Sequence, residues 1–299
     1  MKAPFWSTGD RLVAPTRKTT TMLAKLNLQT ELLQSYAFIA RNFNLVKRYW
    51  GWEIVWLAYS TATSLSVVFI GYGAGMITGA EEIDTAYFTM YLLIGTLVWR
   101  FLSSLFNSIS EMIQWERWEG TIEYTLMAPV HRFTQIMGQA GFAILYSVIF
   151  TGIIAVAMTA LFSLDFSGSN LWGAFLVLLA GSVSLVSFGV VASILPLLYT
   201  ERGTQMTHVV EALLLLVSGI YYPIEVLPAA LQAIARISPM YYILEGIRAA
   251  VLEGKPTVDL LSTIIPLLVI GVIGLPIGVW AFQQAENYAK RNGKLKRVG

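Results

Sequence analysis

The chain has 299 residues, 56% of them hydrophobic and 13% charged, with a mean hydropathy of +0.63 and a formal net charge of +2. Soluble domains carry about 25% charged residues, so this chain cannot cover a globular surface with polar groups, and its class is membrane-embedded. It has no cysteine, which excludes disulfides, zinc thiolate sites and iron–sulfur ligation.

Residues 1–26 are mixed and polar, with Lys2, Arg11, Arg17, Lys18 and Lys25 and no apolar run of signal-peptide type. They read as a flexible cytoplasmic extension. In residues 27–51, Leu28, Leu32, Tyr36, Ile39, Phe43, Val46 and Trp50 recur at steps of three and four, which is one face of an α-helix. The opposite face holds Glu31, Gln34, Arg41, Asn42, Lys47 and Arg48. A basic amphipathic helix edged by Trp suits a membrane surface; packing against a soluble partner would use the same pattern.

A membrane-crossing helix needs about 20 apolar residues. Six stretches qualify, at 53–78, 86–110, 136–162, 171–199, 204–222 and 260–283. Glu53 opens the first and is expected at the interface. Pro196, Pro266 and Pro276 fall in the later spans, where neighbouring helices can satisfy the freed carbonyls. Trp50, Trp52, Trp56, Trp172 and Trp280 lie near span ends, as interfacial belts require. Gly71 and Gly75, and Gly274 and Gly278, have the spacing that lets helices approach closely.

With the N-terminus inside, the inner side collects the basic residues of the first fifty positions, Arg117, Arg132, Arg202, and Lys290, Arg291, Lys294, Lys296 and Arg297 of the tail. The outer side holds Arg236, Arg248 and Lys255, and its first loop, GAEEIDTA, is acidic. This asymmetry predicts six spans with both termini cytoplasmic. The expected fold is an all-α polytopic membrane protein, with a span domain over 52–285 and a basic tail over 286–299.

Between the second and third spans, Met112, Ile113, Trp115, Trp118, Ile122, Tyr124, Leu126 and Met127 alternate with Glu111, Glu116, Arg117, Glu119 and Glu123. Gly120 can stop one helix, Thr121 can cap the next with Glu123 in its first turn, and Pro129 ends it. Short helices lying across the inner face follow. They suit docking into a groove of another protein, or serve only as an interfacial linker.

On the outer side, residues 221–259 are cut by Pro223, Pro228 and Pro239 into two helical pieces near 228–237 and 240–252, too short to cross a membrane. Non-spanning backbone that dips into a bilayer must be shielded by protein, so a re-entrant helical hairpin is expected. Tyr221, Tyr222, Pro223, Glu225, Tyr241 and Tyr242 flank it, as an outer gate or as anchors.

Besides Glu53 at the start of the first span, Arg100, His208 and Glu211 fall inside predicted spans. Arg100 is costly there, by about 2.5–3.5 kcal/mol on the insertion scale. It faces either a pathway, meeting an anionic substrate or lipid head, or a structural partner. His208 and Glu211 share a helix face, as a proton relay, a substrate contact, or a polar cluster pairing with Arg100.

ERWEGTIEYTLMAPVHR (116–132) resembles the cytoplasmic segment of type-2 ABC transporter permeases, with Glu119 standing where that family usually has a base. YYPIEVLPAALQAIARISPMYYILEGIR (221–248) resembles their outer segment. The resemblance covers about residues 27–285 and implies the membrane subunit of an ABC exporter. Two such subunits, identical or related, would form the pathway for an amphipathic small molecule, drug or lipid, with a polysaccharide or glycolipid as alternative cargo. Two cytoplasmic ATPase subunits would drive it, holding ATP and Mg, and would couple through Trp115, Glu116, Arg117, Trp118, Glu119, Gly120, Thr121 and Glu123. The chain has no phosphate-binding loop: Gly254-Lys255 and Gly293-Lys294 are followed by Pro and Leu. No cofactor, metal site, enzyme activity or nucleic-acid binding is expected of this chain. The partners are the ATPases, a second permease copy and lipid, in the cell membrane. The competing reading is a proton- or ion-coupled secondary transporter.

Overall fold

The computed structural model describes residues 28–78, 85–162, 166–199 and 201–292. The 1–26 extension, most of the first outer loop and the last basic residues of the tail lie outside the described residues. The elements are α1 (Leu28–Arg48), α2 (Trp50–Thr78), α3 (Thr85–Ser110), α4 (Met112–Glu119), α5 (Ile122–Met127), α6 (Arg132–Phe162), α7 (Leu171–Ala192), α8 (Ile194–Leu198), α9 (Gly203–Ser218), α10 (Ala229–Ile237), α11 (Pro239–Val251) and α12 (Leu261–Arg291). Described residues include no β-strand.

Five helical segments are long and apolar enough to cross a membrane: Trp50–Gly73, Tyr87–Ser110, Arg132–Phe162, Leu171–Leu198 and Leu261–Arg291. The stretch predicted as a fifth span forms α9, with only 16 residues. At 1.5 Å per residue it covers about 24 Å, short of the roughly 30 Å hydrocarbon core. The apolar pattern runs on through Tyr222, but Gly219 adopts φ 72° and ends the helix.

At the centre, α7 packs along α12 and also against α3 and α11. Small residues make this possible. A side chain at Gly271 would meet the α7 backbone at Val183 and Ser184, and the Ser184 hydroxyl donates to Leu267 O at 2.7 Å. Gly274 and Gly278 likewise face Ser187, and Gly71 rests on Thr89 of α3. Around this core, α2, α6 and α12 turn Trp56, Phe69, Val156, Val272, Ile273 and Ile277 outward. Without lipid such a surface would be a severe liability.

At the end of the bundle away from α4, α10 and α11 form the expected pair of short helices, joined at Ser238, whose hydroxyl caps α11. Asn170 caps α7 through Gly173 N and donates to Lys255 O at 2.8 Å, tying this hairpin to the loop before α7. Arg248 closes the C-terminus of α9. Its two terminal nitrogens donate to Gly219 O (3.0 Å) and Ile220 O (2.6 Å), and its guanidinium lies 3.5 Å from the Tyr91 ring centroid. Helix-end carbonyls lack intrahelical donors, and a planar fork can serve two of them at once. Arg248→Ala is expected to cost about 2 kcal/mol, read as a lower midpoint in thermal unfolding, with Arg248→Lys recovering only part of it.

Candidate functional site

The α4–α5 pair crosses the end of the bundle where α3 stops and α6 begins. Gly120, at φ 73°, ends α4 in a Schellman arrangement: Gly120 N donates to Arg117 O (3.1 Å) and Thr121 N to Glu116 O (2.9 Å). Thr121 occupies the cap position of α5, but its side chain makes no cap bond; the hydroxyl reaches back toward Glu116 O at 3.5 Å. Ala128 is extended (ψ 139°) ahead of Pro129, as the residue before proline prefers, and α5 stops there.

The predicted coupling residues divide by face. Glu116 and Arg117 are 3% and 2% exposed, whereas Trp115 and Trp118 are 53% and 61% exposed. The two indoles meet edge to face at 5.5 Å. Tyr124, Met127 and Glu123 are exposed beside them on α5. Glu119 is half-buried and accepts from the Tyr49 hydroxyl at 3.3 Å.

Glu116 anchors α4 to two other elements. Its Oε1 accepts from both terminal nitrogens of Arg41 on α1 (3.2 Å each) and from Gln135 Nε2 on α6 (3.4 Å). Burial pushes its carboxyl pKa up, and the Arg41 charge and hydrogen bond pull it back. Gln135 Oε1 in turn accepts from Arg132 Nη1 at 2.9 Å. Arg132 forks onto Glu286 of α12, Nε to Oε2 at 2.8 Å and Nη2 to Oε1 at 3.0 Å, and also reaches Thr125 O of α5. Lys290 completes the chain, 2.6 Å from Glu286. One polar network therefore joins α1, α4, α5, α6 and α12. Arg117 points elsewhere: its terminal nitrogens donate to Pro196 O (2.6 Å) and Leu197 O (2.8 Å) at the end of α8.

Sequence reading passed over most of these partners. Arg41, Gln135 and Glu286 lie 75, 19 and 154 positions from their partners Glu116, Glu116 and Arg132. No spacing rule connects them. The available signal was the charge of Glu286 and Lys290 on one helix face, four residues apart.

His208 and Glu211 do come together, at 3.4 Å, but with Glu111 (3.5 Å from His208), Ser103 and Asn107 rather than with Arg100. Burial raises the Glu111 pKa, the neighbouring His208 lowers it and Glu211 raises it. Arg100 lies a turn before Ser103 on α3. Its electrostatic neighbour is Tyr146, whose hydroxyl donates to Glu53 at 2.6 Å.

At the opposite end, a cavity of about 320 Å³ is lined by Pro223, Glu225, Tyr241, Tyr91, Glu245 and Arg248, among others. Tyr221, Tyr222 and Tyr242 do not line it. Tyr222 donates to Leu216 O at 2.7 Å, and Tyr242 packs edge-on against Tyr241. A second cavity, of about 530 Å³, opens between α3, α6, α7 and α11, walled by Leu97, Val98, Phe101, Ala155, Leu178 and Val251.

Among the described residues there is no group of three or more His, Asp or Glu side chains placed to hold a metal. The α4–α5 region thus carries an exposed aromatic surface whose buried side is held by Glu116 and Arg117. Residues 34–252, well over half the chain, match the family model of the ABC-2 type transporter. No curated protein matches the chain. With that match, and five helices able to cross a membrane, the chain belongs to the ABC-2 type transporter family and is its multi-pass membrane permease.

Proposed function

We propose that this permease is half of an ATP-driven exporter, and that separate cytoplasmic ATPase subunits dock on Trp115, Trp118, Tyr124 and Met127. The observation that carries this reading is the contrast within four residues of α4: the aromatic pair faces out while Glu116 and Arg117 face in and brace the helix. Exposed Trp side chains on a braced helix are the residue type and setting of interface hot spots. Glu116 and Arg117 act as mountings, and Glu119, Gly120 and Thr121 shape the turn behind them. ATP and Mg belong to the partner, and two permease copies enclose the pathway. In this reading both termini are cytoplasmic, and α9 makes a sixth crossing that the α10–α11 hairpin completes on the outer side, where Pro223, Glu225 and Tyr241 form a vestibule.

The apolar cavity between α3, α6, α7 and α11 favours an amphipathic small molecule, drug or lipid over a glycan, since binding sites of about 300–1,000 Å³ with apolar walls suit such ligands. Transport measured in vesicles carrying the permease with its co-purified ATPase tests the reading. Block by vanadate and indifference to an uncoupler are expected. Transport that persists without ATP and collapses with the uncoupler would instead establish a secondary carrier.

A further inference from the structure

The α8–α9 hairpin is held to α4 and its root at two points, one on each side of the turn. Before the turn, Arg117 of α4 grips the Pro196 and Leu197 carbonyls. These carbonyls are in the last turn of α8, where helix carbonyls in general lack intrahelical donors. After the turn, His208 of α9 sits between two carboxylates. Its Nε2 is 3.5 Å from Glu111, the junction residue between α3 and α4, and its Nδ1 is 3.4 Å from Glu211. The hairpin between the two points is compact: Gly203 lies so close to Pro196 that a side chain there would strike the proline backbone. The outward face of α9, with Val209, Leu213 and Leu216, is exposed.

We infer that Arg117 and His208 are positioning residues that fasten the α8–α9 hairpin to α4, so that displacement of α4 is transmitted to α9, and that the His208 half of the fastening requires a protonated imidazole. An imidazolium presents an N–H and positive charge to both carboxylates, with Nδ1 in hydrogen-bonding reach of Glu211 at 3.4 Å and Nε2 facing Glu111 as an ion pair at 3.5 Å. A neutral ring donates from one and turns a lone pair toward the other acid. Among the described residues, His208 is the cation that pairs with these acids. From α3 come Ser103 and Asn107, both bonded to Glu211, and Glu111 at its end; from α9 comes Glu211 itself. Arg117 is committed to α8, which carries no titratable side chain. The upward pull of Glu211 on the Glu111 pKa agrees with two acids that share one cation. The fastening is a property of this chain alone; only its use in energy coupling rests on α4 being the docking helix.

Because the chain has no cysteine, spin labels can be placed at Trp118→Cys on α4 and Leu213→Cys on α9, both exposed positions, in the full chain in nanodiscs. Their distance distribution is measured by pulsed electron resonance at about pH 5.5 and about pH 8.5. The wild-type background is expected to give a narrow distribution at the lower pH that broadens about two-fold at the higher, as a local fastening is released. His208→Gln should be broad at both values, and His208→Lys, which keeps a positive charge, narrow at both. Arg117→Met should broaden the distribution at both. A control pair at Tyr87→Cys and Leu161→Cys, at the far ends of α3 and α6, should not change. Where the control pair shifts in the Arg117 variant, the contrast between the two His208 variants decides. A distribution that is the same at both pH values and in His208→Gln overturns the His208 fastening; one unaffected by Arg117→Met, with the control intact, overturns the other. ATPase docking is not involved in this readout, so its failure leaves the proposed function standing.

Discussion

Replacing Trp115 and Trp118 together by Ala should weaken capture of the proposed ATPase partner about a thousand-fold while the permease stays folded in its membrane. Both indoles are more than half exposed and touch chiefly each other and Tyr49. Their removal therefore leaves no buried cavity and no unpaired charge, and the cost to folding should fall within the range of ordinary surface changes, about 0.5 kcal/mol. Their loss from an interface is another matter. Truncating an interfacial Trp costs about 2 kcal/mol or more, so the pair should weaken association roughly a thousand-fold. Titration of the reconstituted permease with its purified ATPase measures this directly. Glu116→Ala with Arg117→Ala gives the opposite pattern. Those side chains brace α4 from behind, so the double variant should lose thermal stability first, and docking only as a consequence. Undiminished ATPase binding by the Trp pair variant would remove the α4 surface from consideration.

Glu286→Ala should be among the most destabilising single changes in the molecule, at about 3–5 kcal/mol. The Glu286 side chain is 5% exposed and Arg132, its bidentate partner, 12%. Removing the acid takes the counter-ion from a buried guanidinium at the first residue of α6 and leaves it the neutral acceptors of Gln135 and Thr125. Lys290, the other cation on Glu286, is nearly half exposed and can turn to water. The expected ordering separates the pair's electrostatics from its packing. Arg132→Met combined with Glu286→Met should be far closer to wild type than either single change, because removing both charges of a buried pair is often nearly neutral. Thermal unfolding followed by tryptophan fluorescence supplies the comparison. If the double variant is as unstable as Glu286→Ala, the contribution of the pair lies in shape rather than in charge. Since Arg132 also holds Gln135 and Thr125, either single change should loosen α5 as well.

Much of the chain's organisation was legible along the sequence. The apolar stretches at 86–110 and 136–162 became α3 and α6 within a few residues, and Pro228 and Pro239 bounded α10 and α11 as expected. The amphipathic stretch after residue 27 became α1, with Ser35, Phe38 and Ile39 against Gly138 and Gly141 of α6. Where the reading missed, the cause was local geometry that composition does not report. Ile220, Tyr221 and Tyr222 extend the apolar run past Gly219, yet the positive φ at that glycine stops α9. Thr121 sits where a capping residue belongs but does not cap, because its backbone is helical (φ −96°, ψ −7°) rather than extended and its hydroxyl turns back toward Glu116 O.

Hydropathy and the placement of proline and glycine determined by themselves that this is a helical membrane protein with short helices at both ends. These are properties of a segment and its solvent: a buried backbone in lipid must satisfy its own hydrogen bonds, so an apolar run of sufficient length has to be a helix. Which face of each helix looks inward was decided only by the tertiary structure. Lipid and protein core are both apolar, so periodicity cannot tell one from the other in α2, α6 or α12. Nor can a sequence pair Arg41 with Glu116, Arg132 with Glu286, or Arg117 with the carbonyls of α8, since those partners meet only when separate helices pack, and it is that packing which turns Glu116 and Arg117 inward and leaves Trp115 and Trp118 facing out.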